Sequence, residues 1–290
     1  MSSPGARLRK AFSEQPIMIP GAFNALTARI AERLGFRAVY LSGGALSAGW
    51  AGVPDIGLLT LNDFAEQAAV LARATSLPLL CDADTGFGEA LNVERTVRLY
   101  EEAGAAGLHI EDQVLPKRCG HLSGKVLVGV GAMVAKIRAA VSARRDPDFV
   151  IVPRTDARSA EGLDAALDRA RAYAEAGADM IFPEALESAD EFARFSRAIQ
   201  TPLLANMTEF GRSPLLGFEE LAALGYRVVL YPLTAFRAAM RAAEEVLAEL
   251  AATGTQRGSL PRMMTRAELY DRIGYTAWEE RDRTLFESQR

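Results

Sequence analysis

Short apolar segments recur along the chain, and each is followed by a longer stretch with the periodicity of an amphipathic helix. In one such stretch, apolar side chains at positions 163, 166, 167, 170, 173 and 174 follow the i, i+3, i+4, i+7 spacing of one buried face. Glycines at positions 35, 104, 177 and 225 precede later apolar segments, where helices often end in a left-handed residue. The predicted strands are residues 17–19, 38–41, 79–81, 108–110, 150–152, 180–182, 203–205 and 228–230.

This alternation predicts an α/β protein with a parallel sheet. Eight βα units favour a closed (β/α)8 barrel of the TIM type, with an open, doubly wound sheet as the alternative. No Gly-x-Gly-x-x-Gly turn follows the first strand, which removes the main reason to prefer a dinucleotide-binding sheet. We expect the barrel to occupy residues 1–252. Residues 253–290 leave the repeat and form a C-terminal extension with a helical stretch over residues 265–286.

Polar residues follow the apolar segments at the ends that carry the active site in barrels of this type. Asp82 and Asp84 are two positions apart, so on an extended strand they point to one side, and Glu111 ends the next strand. Three carboxylates without a nearby pair of histidines suit Mg²⁺ or Mn²⁺ rather than Zn²⁺. Helix capping or pairing with arginine is the alternative role for such acids. The other candidates at strand ends are Ser42, Gly43, Gly44, Arg154, Glu184, Asn206, Met207, Thr208 and Arg237.

A loop after the fourth strand contains Cys119, with Lys117, Arg118 and His121 close by. Cationic neighbours stabilise a thiolate, so Cys119 is a candidate reactive thiol, with a half-buried loop thiol as the alternative. His121 is a second catalytic candidate, which would orient the loop. Tyr40 is a third, because its phenol precedes the polar turn that begins at residue 42.

Other residues of these types are expected to be structural or to bind the substrate. Cys81 and His109 lie inside apolar strands and are predicted to belong to the core. Arg154, Arg237 and Arg266 are suited to two-pronged binding of carboxylates, which indicates a substrate with more than one carboxylate. Arginines within predicted helices are expected at the surface; these are Arg169, Arg171 and Arg241.

Composition excludes several classes of partner. With 33 Lys+Arg and 37 Asp+Glu, the net charge of −4 argues against binding to nucleic acid or to an anionic membrane. Hydrophobic residues make up 49% of the chain, as in ordinary globular domains. No apolar run is long enough for a signal peptide or a membrane span, so we expect a cytoplasmic protein.

The Lys117-Arg118-Cys119-Gly120-His121 segment resembles the signature of the isocitrate lyase and phosphoenolpyruvate mutase superfamily. Further segments resemble motifs of that superfamily in the same order, and together they cover nearly the whole chain. They are residues 40–44, 82–88, 109–113, 154–157, 182–185, 206–211 and 230–237. Residues 264–270 resemble the tail of the branch that cleaves 2-methylisocitrate to pyruvate and succinate in the methylcitrate route of propionate catabolism.

The resemblance implies retro-aldol cleavage of a small di- or tricarboxylate in the presence of Mg²⁺. Asp82, Asp84 and Glu111 would hold the metal, with Asp55 as an outer acid, and Cys119 would protonate the departing carbon. Phe182 and Leu230 would line the space for the methyl group. The resemblance also implies a homotetramer whose C-terminal helices are exchanged between neighbouring barrels. Residues implied to hold the substrate are Ser42, Gly43, Gly44, Gly120, Arg154, Asn206, Thr208 and Arg237.

Two alternatives remain open at this point. Residues 122–125 are closer to the corresponding segment of oxaloacetate hydrolases and 2,3-dimethylmalate lyases of the same superfamily, so the substrate is not fixed. From a different class, a barrel that binds ligands without turnover is disfavoured, because every polar position that the chemistry needs is present.

Overall fold

The computed structural model describes residues 2–118, 120–122 and 124–287. All eight predicted strand segments overlap an observed strand. The strands are β1 (Ile17–Pro20), β2 (Val39–Leu41), β3 (Leu79–Asp82), β4 (Gly107–Glu111), β5 (Val150–Thr155), β6 (Phe182–Pro183), β7 (Leu204–Asn206) and β8 (Val228–Tyr231).

Helices follow the strands and cover the outside of the sheet. A π-helical turn, Ser47–Ala51, and a 3₁₀ turn, Arg257–Arg262, complete the regular structure of the described residues. The α-helices are α1 (Pro4–Glu14), α2 (Ala25–Arg33), α3 (Gly43–Leu46), α4 (Leu61–Ala74), α5 (Ala90–Ala103), α6 (Val130–Ala143), α7 (Ala157–Ala160), α8 (Leu163–Glu175), α9 (Ala189–Ala198), α10 (Phe218–Ala223), α11 (Thr234–Thr253), α12 (Arg266–Ile273) and α13 (Tyr275–Glu287).

The strands close into a ring. Parallel pairing runs β2-β3-β4-β5-β6 in one sheet and β1-β8-β7 in the other. Single bridges join the two sheets, between Gly21 and Tyr40 at one seam and between Ile181 and Leu203 at the other. At the first seam the Ala22 amide donates to the Tyr40 carbonyl over 2.8 Å, and at the second the Leu204 amide donates to the Ile181 carbonyl over 2.9 Å. This arrangement confirms the (β/α)8 barrel and rules out the open sheet.

Alternation along the strands separates two apolar clusters. One fills the barrel interior with residues such as Leu80, Val152 and Leu230, and α1 adds Leu8 and Phe12 to it. The other lies between the strands and the surrounding helices. Successive side chains of a strand point to opposite faces. Residues two and four positions after an interior residue such as Leu80 therefore face the interior again, at the carboxyl end of the barrel. That periodicity positions the polar residues described below.

The helix ends agree with the glycine pattern. Glycines 35, 104, 177 and 225 all have positive φ, between 83° and 104°. The predicted helix over residues 265–286 is wrong in one respect, because the structure has two helices there. Gly274, with φ at +72°, ends α12 in the left-handed conformation, which a single continuous helix cannot contain.

The C-terminal extension packs only in part on its own barrel. Arg33 of α2 donates to the Asp271 carbonyl, and Arg29 donates to the Ile273 carbonyl at the end of α12. No described residue of α11, α12 or α13 is buried, and the side chains of Leu247 and Trp278 are 64% and 71% exposed. Among the described helices, none is both long enough and apolar enough to cross a membrane. The domain boundary at residue 252 stays a prediction.

Candidate functional site

A cavity of about 60 Å³ lies at the carboxyl ends of the strands. Four of its lining residues, Lys117, Arg118, Gly120 and His121, belong to the segment 113–128, which joins β4 to α6 and which we call the mouth loop. The base of this loop is fixed by hydrogen bonds from the Val114 amide to the Val126 carbonyl and from the Val128 amide to the Asp112 carbonyl. Most of the predicted site residues line the cavity: Tyr40, Ser42, Gly44, Asp55, Asp82, Gly120, His121, Arg154, Glu184, Asn206 and Thr208.

Six of the described predicted residues do not line the cavity. Gly43, Asp84 and Glu111 lie beside it, where they contact Asp82, Lys117 and Arg154 respectively, and three others are placed elsewhere. Met207 is buried in the outer cluster between strands and helices, because it alternates with Asn206 and Thr208 and so points away from the interior. Arg237 lies on α11, where it pairs with Glu209 at 2.9 Å and lines a separate surface groove. Arg266 is the exposed first residue of α12. Cys119 lies outside the described residues.

Asp82 is held by backbone amides at the end of β3. Its Oδ2 accepts a hydrogen bond from the Gly43 amide over 3.0 Å, and its Oδ1 accepts one from the Asp84 amide over 3.0 Å. Burial opposes ionisation of this carboxyl, but the charges of His109 and Lys117 and the Asp84 amide lower its pKa below the usual value. Asp82 therefore stays an anion at the floor of the cavity.

Asp84 and Asp55 share the ammonium group of Lys117. The Lys117 Nζ lies 2.8 Å from Asp84 Oδ1 and also contacts Asp55 Oδ1, and only 3% of this lysine side chain is exposed. Burial raises the pKa of Asp84 to about 7, with further repulsion from Asp82, while Lys117 opposes the rise. For Lys117, burial acts against the charge, but the surrounding carboxylates outweigh it and raise the pKa.

Arg154, near the end of β5, pairs with the carboxylates of Glu111 and Asp156. Its Nη1 lies 3.1 Å from Glu111 Oε2, and its Nε and Nη2 each donate to Asp156 over 3.0 Å. The guanidinium also lies over the Phe182 ring, 5.4 Å from the centroid. Burial raises the pKa of Glu111 well above its usual value, although Arg154 opposes this. The paired charges fix the guanidinium at the cavity wall.

His121 reaches from the mouth loop to the barrel wall. Its Nδ1 accepts a hydrogen bond from the Arg212 amide over 2.9 Å, so the ring proton belongs on Nε2, which lies 2.7 Å from Glu184 Oε1. The Asn206 amide group donates to the same carboxylate. This contact joins the loop to the residues at the ends of β6 and β7.

Tyr40 of β2 and His109 of β4 form a buried pair. The Tyr40 hydroxyl lies 2.7 Å from His109 Nε2 and 3.4 Å from Asp82 Oδ2. Burial and the Asp82 charge raise the pKa of Tyr40 well above its usual value, which favours a hydrogen-bond donor over a base. His109 is fully buried, as predicted, and so is Cys81.

Sequence reasoning missed a buried network behind the cavity. Asp112 accepts hydrogen bonds from the Thr155 hydroxyl, the Asp156 amide and the Tyr173 hydroxyl, each at 2.8 or 2.9 Å. Arg169 lies 3.4 Å from the same carboxylate and is 5% exposed, so the prediction that it lies at the surface is wrong. The periodicity contained the signal, because position 169 falls on the buried face shared by positions 166, 170 and 173.

The acids at and beside the cavity fit a hard divalent cation. Glu111 Oε1 is buried without a hydrogen-bond partner, and Asp82 and Asp84 supply further carboxylate oxygens. Within the described part of the chain, no three acidic, histidine or cysteine side chains converge into a complete metal centre. Mg²⁺ typically binds through one or two carboxylates and keeps several waters, so a partial protein shell is sufficient for it.

This arrangement brings acids, an arginine and hydroxyl groups together around one small space. The carboxylates can neutralise a metal ion, and Arg154 and the hydroxyls of Ser42 and Thr208 can hold carboxylates. Such a set of groups suits a reaction in which one end of a polycarboxylate loses a proton while negative charge develops at the other.

The sequence matches known proteins over nearly its whole length. The family model described as phosphoenolpyruvate phosphomutase matches residues 8–251. A 2-methylisocitrate lyase of Aeropyrum pernix is 51% identical over 97% of this chain and 91% of its own. The 2-methylisocitrate lyase of Escherichia coli is also 51% identical, over 99% of this chain and 97% of its own.

Solved structures agree with the family. A 2,3-dimethylmalate lyase, described as a member of the PEP mutase/isocitrate lyase superfamily, has a TM-score of 0.92 and 35% identity, and covers 98% of this chain and 96% of its own. A phosphonopyruvate hydrolase in complex with oxalate and Mg²⁺ has a TM-score of 0.86 and 34% identity, with 98% of both chains covered. The barrel, the cavity and these similarities together show that the chain belongs to the phosphoenolpyruvate phosphomutase family, within the PEP mutase/isocitrate lyase superfamily.

Proposed function

We propose that this protein is a carbon–carbon lyase that cleaves 2-methylisocitrate to pyruvate and succinate with the help of Mg²⁺ or Mn²⁺. The observation that carries the proposal is the cavity at the barrel mouth, which is lined by the carboxylates of Asp55 and Asp82 together with Arg154, Ser42 and Thr208. It occurs in a chain that is 51% identical, nearly end to end, to two proteins named 2-methylisocitrate lyase.

The carboxylates at and beside the cavity would hold the cation. Asp82, Asp84 and Glu111 supply hard oxygen donors, and Asp55 adds charge in a second layer. When bound, the cation supplies positive charge that favours loss of the substrate's hydroxyl proton. The Gly43 and Asp84 amides keep the Asp82 carboxylate oriented while this happens.

Arg154, Ser42 and Thr208 would hold the part that leaves as succinate. Removal of the hydroxyl proton lets the carbon–carbon bond break, and its electron pair passes into the aci-carboxylate form of succinate. Arg154 and the Ser42 and Thr208 hydroxyls are suited to stabilise that negative charge. Gly120 lets the mouth loop approach, since a Cβ there would lie 2.3 Å from Arg154 Nη2.

Cys119 completes the proposal as the general acid that returns a proton to carbon. Its chain neighbours Arg118 and Gly120 line the cavity, which supports this assignment. His121 would position the loop through Glu184. Tyr40 would act as a hydrogen-bond donor. We do not assign to Tyr40 the role of the base that takes the substrate's hydroxyl proton.

A related acid is the second candidate substrate. The 122–125 segment resembles that of 2,3-dimethylmalate lyases and oxaloacetate hydrolases, and a 2,3-dimethylmalate lyase has the same fold. The lower identity to that structure, 35% against 51% for the 2-methylisocitrate lyases, ranks it second.

A coupled assay separates these candidates. The 2-oxo acid product would be followed with lactate dehydrogenase in the presence of Mg²⁺. This product is pyruvate from 2-methylisocitrate or 2,3-dimethylmalate and glyoxylate from isocitrate, and the dehydrogenase reduces both. Oxaloacetate would be assayed separately for oxalate and acetate. We expect the highest kcat/KM with 2-methylisocitrate, abolished by a chelator and restored by excess Mg²⁺. A higher value for another acid would contradict the assigned substrate, and turnover that withstands chelation would contradict the metal.

A further inference from the structure

Two of the acids that are proposed to hold the metal, Asp82 and Asp84, lie in a turn with unusual backbone geometry. This turn, residues 82–88, begins at the last residue of β3, and we call it the acid turn. Asp84 and Phe87 have φ values of +45° and +57°. Left-handed backbone is uncommon for residues other than glycine, and it persists where the surrounding structure imposes it. The contacts around the acid turn therefore decide where the two carboxylates lie.

Every backbone carbonyl from residue 82 to residue 87 accepts a hydrogen bond. Backbone amides donate to two of these carbonyls, at residues 83 and 84. The other four accept from side chains of the outer helices α5 and α6, none of which lines the cavity. Tyr100 donates to the Asp82 carbonyl over 2.6 Å, Thr96 to Gly86 over 3.1 Å, Asn92 to Phe87 over 3.0 Å and Lys136 to Thr85 over 3.1 Å.

Lys136 of α6 is an unusual donor for this purpose because it is a buried cation. It is 4% exposed, and none of the ion pairs among the described residues includes it. Burial lowers its pKa, against the charge of Glu89. Burying a charge without an ionic partner is costly, so a side chain needed only for packing would carry no charge at this position. The bond to the Thr85 carbonyl is what its ammonium group supplies.

We propose that Lys136 and Tyr100 are positioning residues of the metal site. Tyr100, which is fully buried, fixes the backbone at Asp82, and Lys136 fixes the carbonyl of the residue that follows Asp84. Together they set the positions of both carboxylates without touching the substrate or the cation. This inference rests on the metal dependence in the proposed function, and it gives the outer helices a role that the proposed function does not assign.

Metal affinity tests the role of Lys136. Calorimetric titration of chelator-treated protein with Mg²⁺ would compare wild type with Lys136→Met, which keeps an unbranched stem but removes the ammonium group. Outer partners of metal ligands typically contribute about 10- to 100-fold to affinity, and we expect the variant to bind Mg²⁺ more weakly by a factor in that range. Lys136→Arg retains a cationic donor and should recover most of the affinity. Wild-type affinity in Lys136→Met, or no recovery in Lys136→Arg, would overturn the role of Lys136.

Arg138→Met is the matched control. Arg138 lies two positions along the same helix, but it is exposed, and its loss should leave the affinity unchanged. Equal weakening in Arg138→Met and Lys136→Met would overturn the proposal, because it would show a general effect of helix charge.

Tyr100→Phe provides a second test that preserves the core, because it removes one oxygen atom and keeps the buried ring. We expect its affinity for Mg²⁺ to fall by about tenfold, at the lower end of the range for outer partners. Wild-type affinity in this variant would overturn the role of Tyr100.

Each titration would be run at a temperature at which far-UV circular dichroism shows the variant to be fully folded. A residue that only stabilises the fold would then leave Mg²⁺ affinity unchanged. None of these measurements uses turnover, so weaker binding by both variants of a protein that cleaves none of the acids would overturn the proposed function alone. A wild-type protein that binds no Mg²⁺ would overturn both.

Discussion

At the scale of single residues, the orientation of the Asp82 carboxylate depends on glycine at position 43. Gly43 begins α3, and its amide donates to Asp82 Oδ2. A Cβ at Gly43 would lie 2.7 Å from that oxygen and 3.1 Å from the Phe64 ring. Glycine is thus needed here for close approach rather than for an unusual φ.

Gly43→Ala is expected to weaken Mg²⁺ binding. The added carbon displaces Asp82 or the amide, and a hydrogen bond to a charged group contributes roughly 1.5–3 kcal/mol, which corresponds to about 10- to 150-fold in affinity. Titration calorimetry would measure this. Gly131→Ala is the control, because a Cβ at Gly131 meets nothing within 4 Å and should leave the affinity unchanged. Wild-type affinity in Gly43→Ala would show that the amide contact is unimportant for the metal.

Cys119→Ser tests the proposed general acid. Proton transfer by a positioned group typically contributes about 10²- to 10⁴-fold, and the hydroxyl is a much weaker acid, so pyruvate release should fall on that scale. The far-UV circular dichroism and Mg²⁺ affinity should match those of wild type. Full activity in Cys119→Ala would exclude this role for the thiol.

At the scale of elements, α8 supports the site without touching it. Its buried face places Arg169 and Tyr173 against Asp112, and Asp112 in turn receives the amide of Asp156, the partner of Arg154. Arg171, two positions along the same helix, is exposed. A helix of the outer layer thereby fixes the end of β5, where Arg154 stands.

Arg169→Met is expected to destabilise the fold. Removing one partner of a buried ion pair typically costs about 3–5 kcal/mol, because the other charge stays buried, and here Asp112 keeps only its neutral partners. Urea denaturation would give the loss in unfolding free energy, which we expect near the lower figure because Glu161, the other partner of Arg169, is 39% exposed. Arg171→Met should change it by less than about 0.5 kcal/mol. Equal losses in the two variants would contradict the buried role of Arg169.

At the scale of the whole molecule, the C-terminal helices leave apolar surface uncovered. Leu247, Met264 and Trp278 are more than half exposed, and Arg237 and Phe210 border a groove of about 930 Å³ along α11. Contiguous exposed apolar surface is typical of contacts between protein chains. The homotetramer that the family resemblance implies stays a prediction.

The expected mass in solution is four times that of the 31.3-kDa chain. Light scattering coupled to size-exclusion chromatography would measure it, and a chain ending at residue 253 should elute as a smaller species because the apolar surface of α12 and α13 is lost. A monomeric full-length chain would contradict the tetramer, and an unchanged assembly after truncation would contradict the role of these helices.

The sequence alone determined the barrel, and it predicted most of the residues that line the cavity. Strands and helices could be predicted because apolar periodicity depends only on local geometry, and strand ends could be located because barrel chemistry lies there. Only the tertiary structure decided which polar residues meet. It placed Lys117 between Asp55 and Asp84, and it placed Arg169 behind Asp112. These contacts join residues far apart in the chain, and burial rather than local pattern fixes their charges, so no pattern along the sequence specifies them.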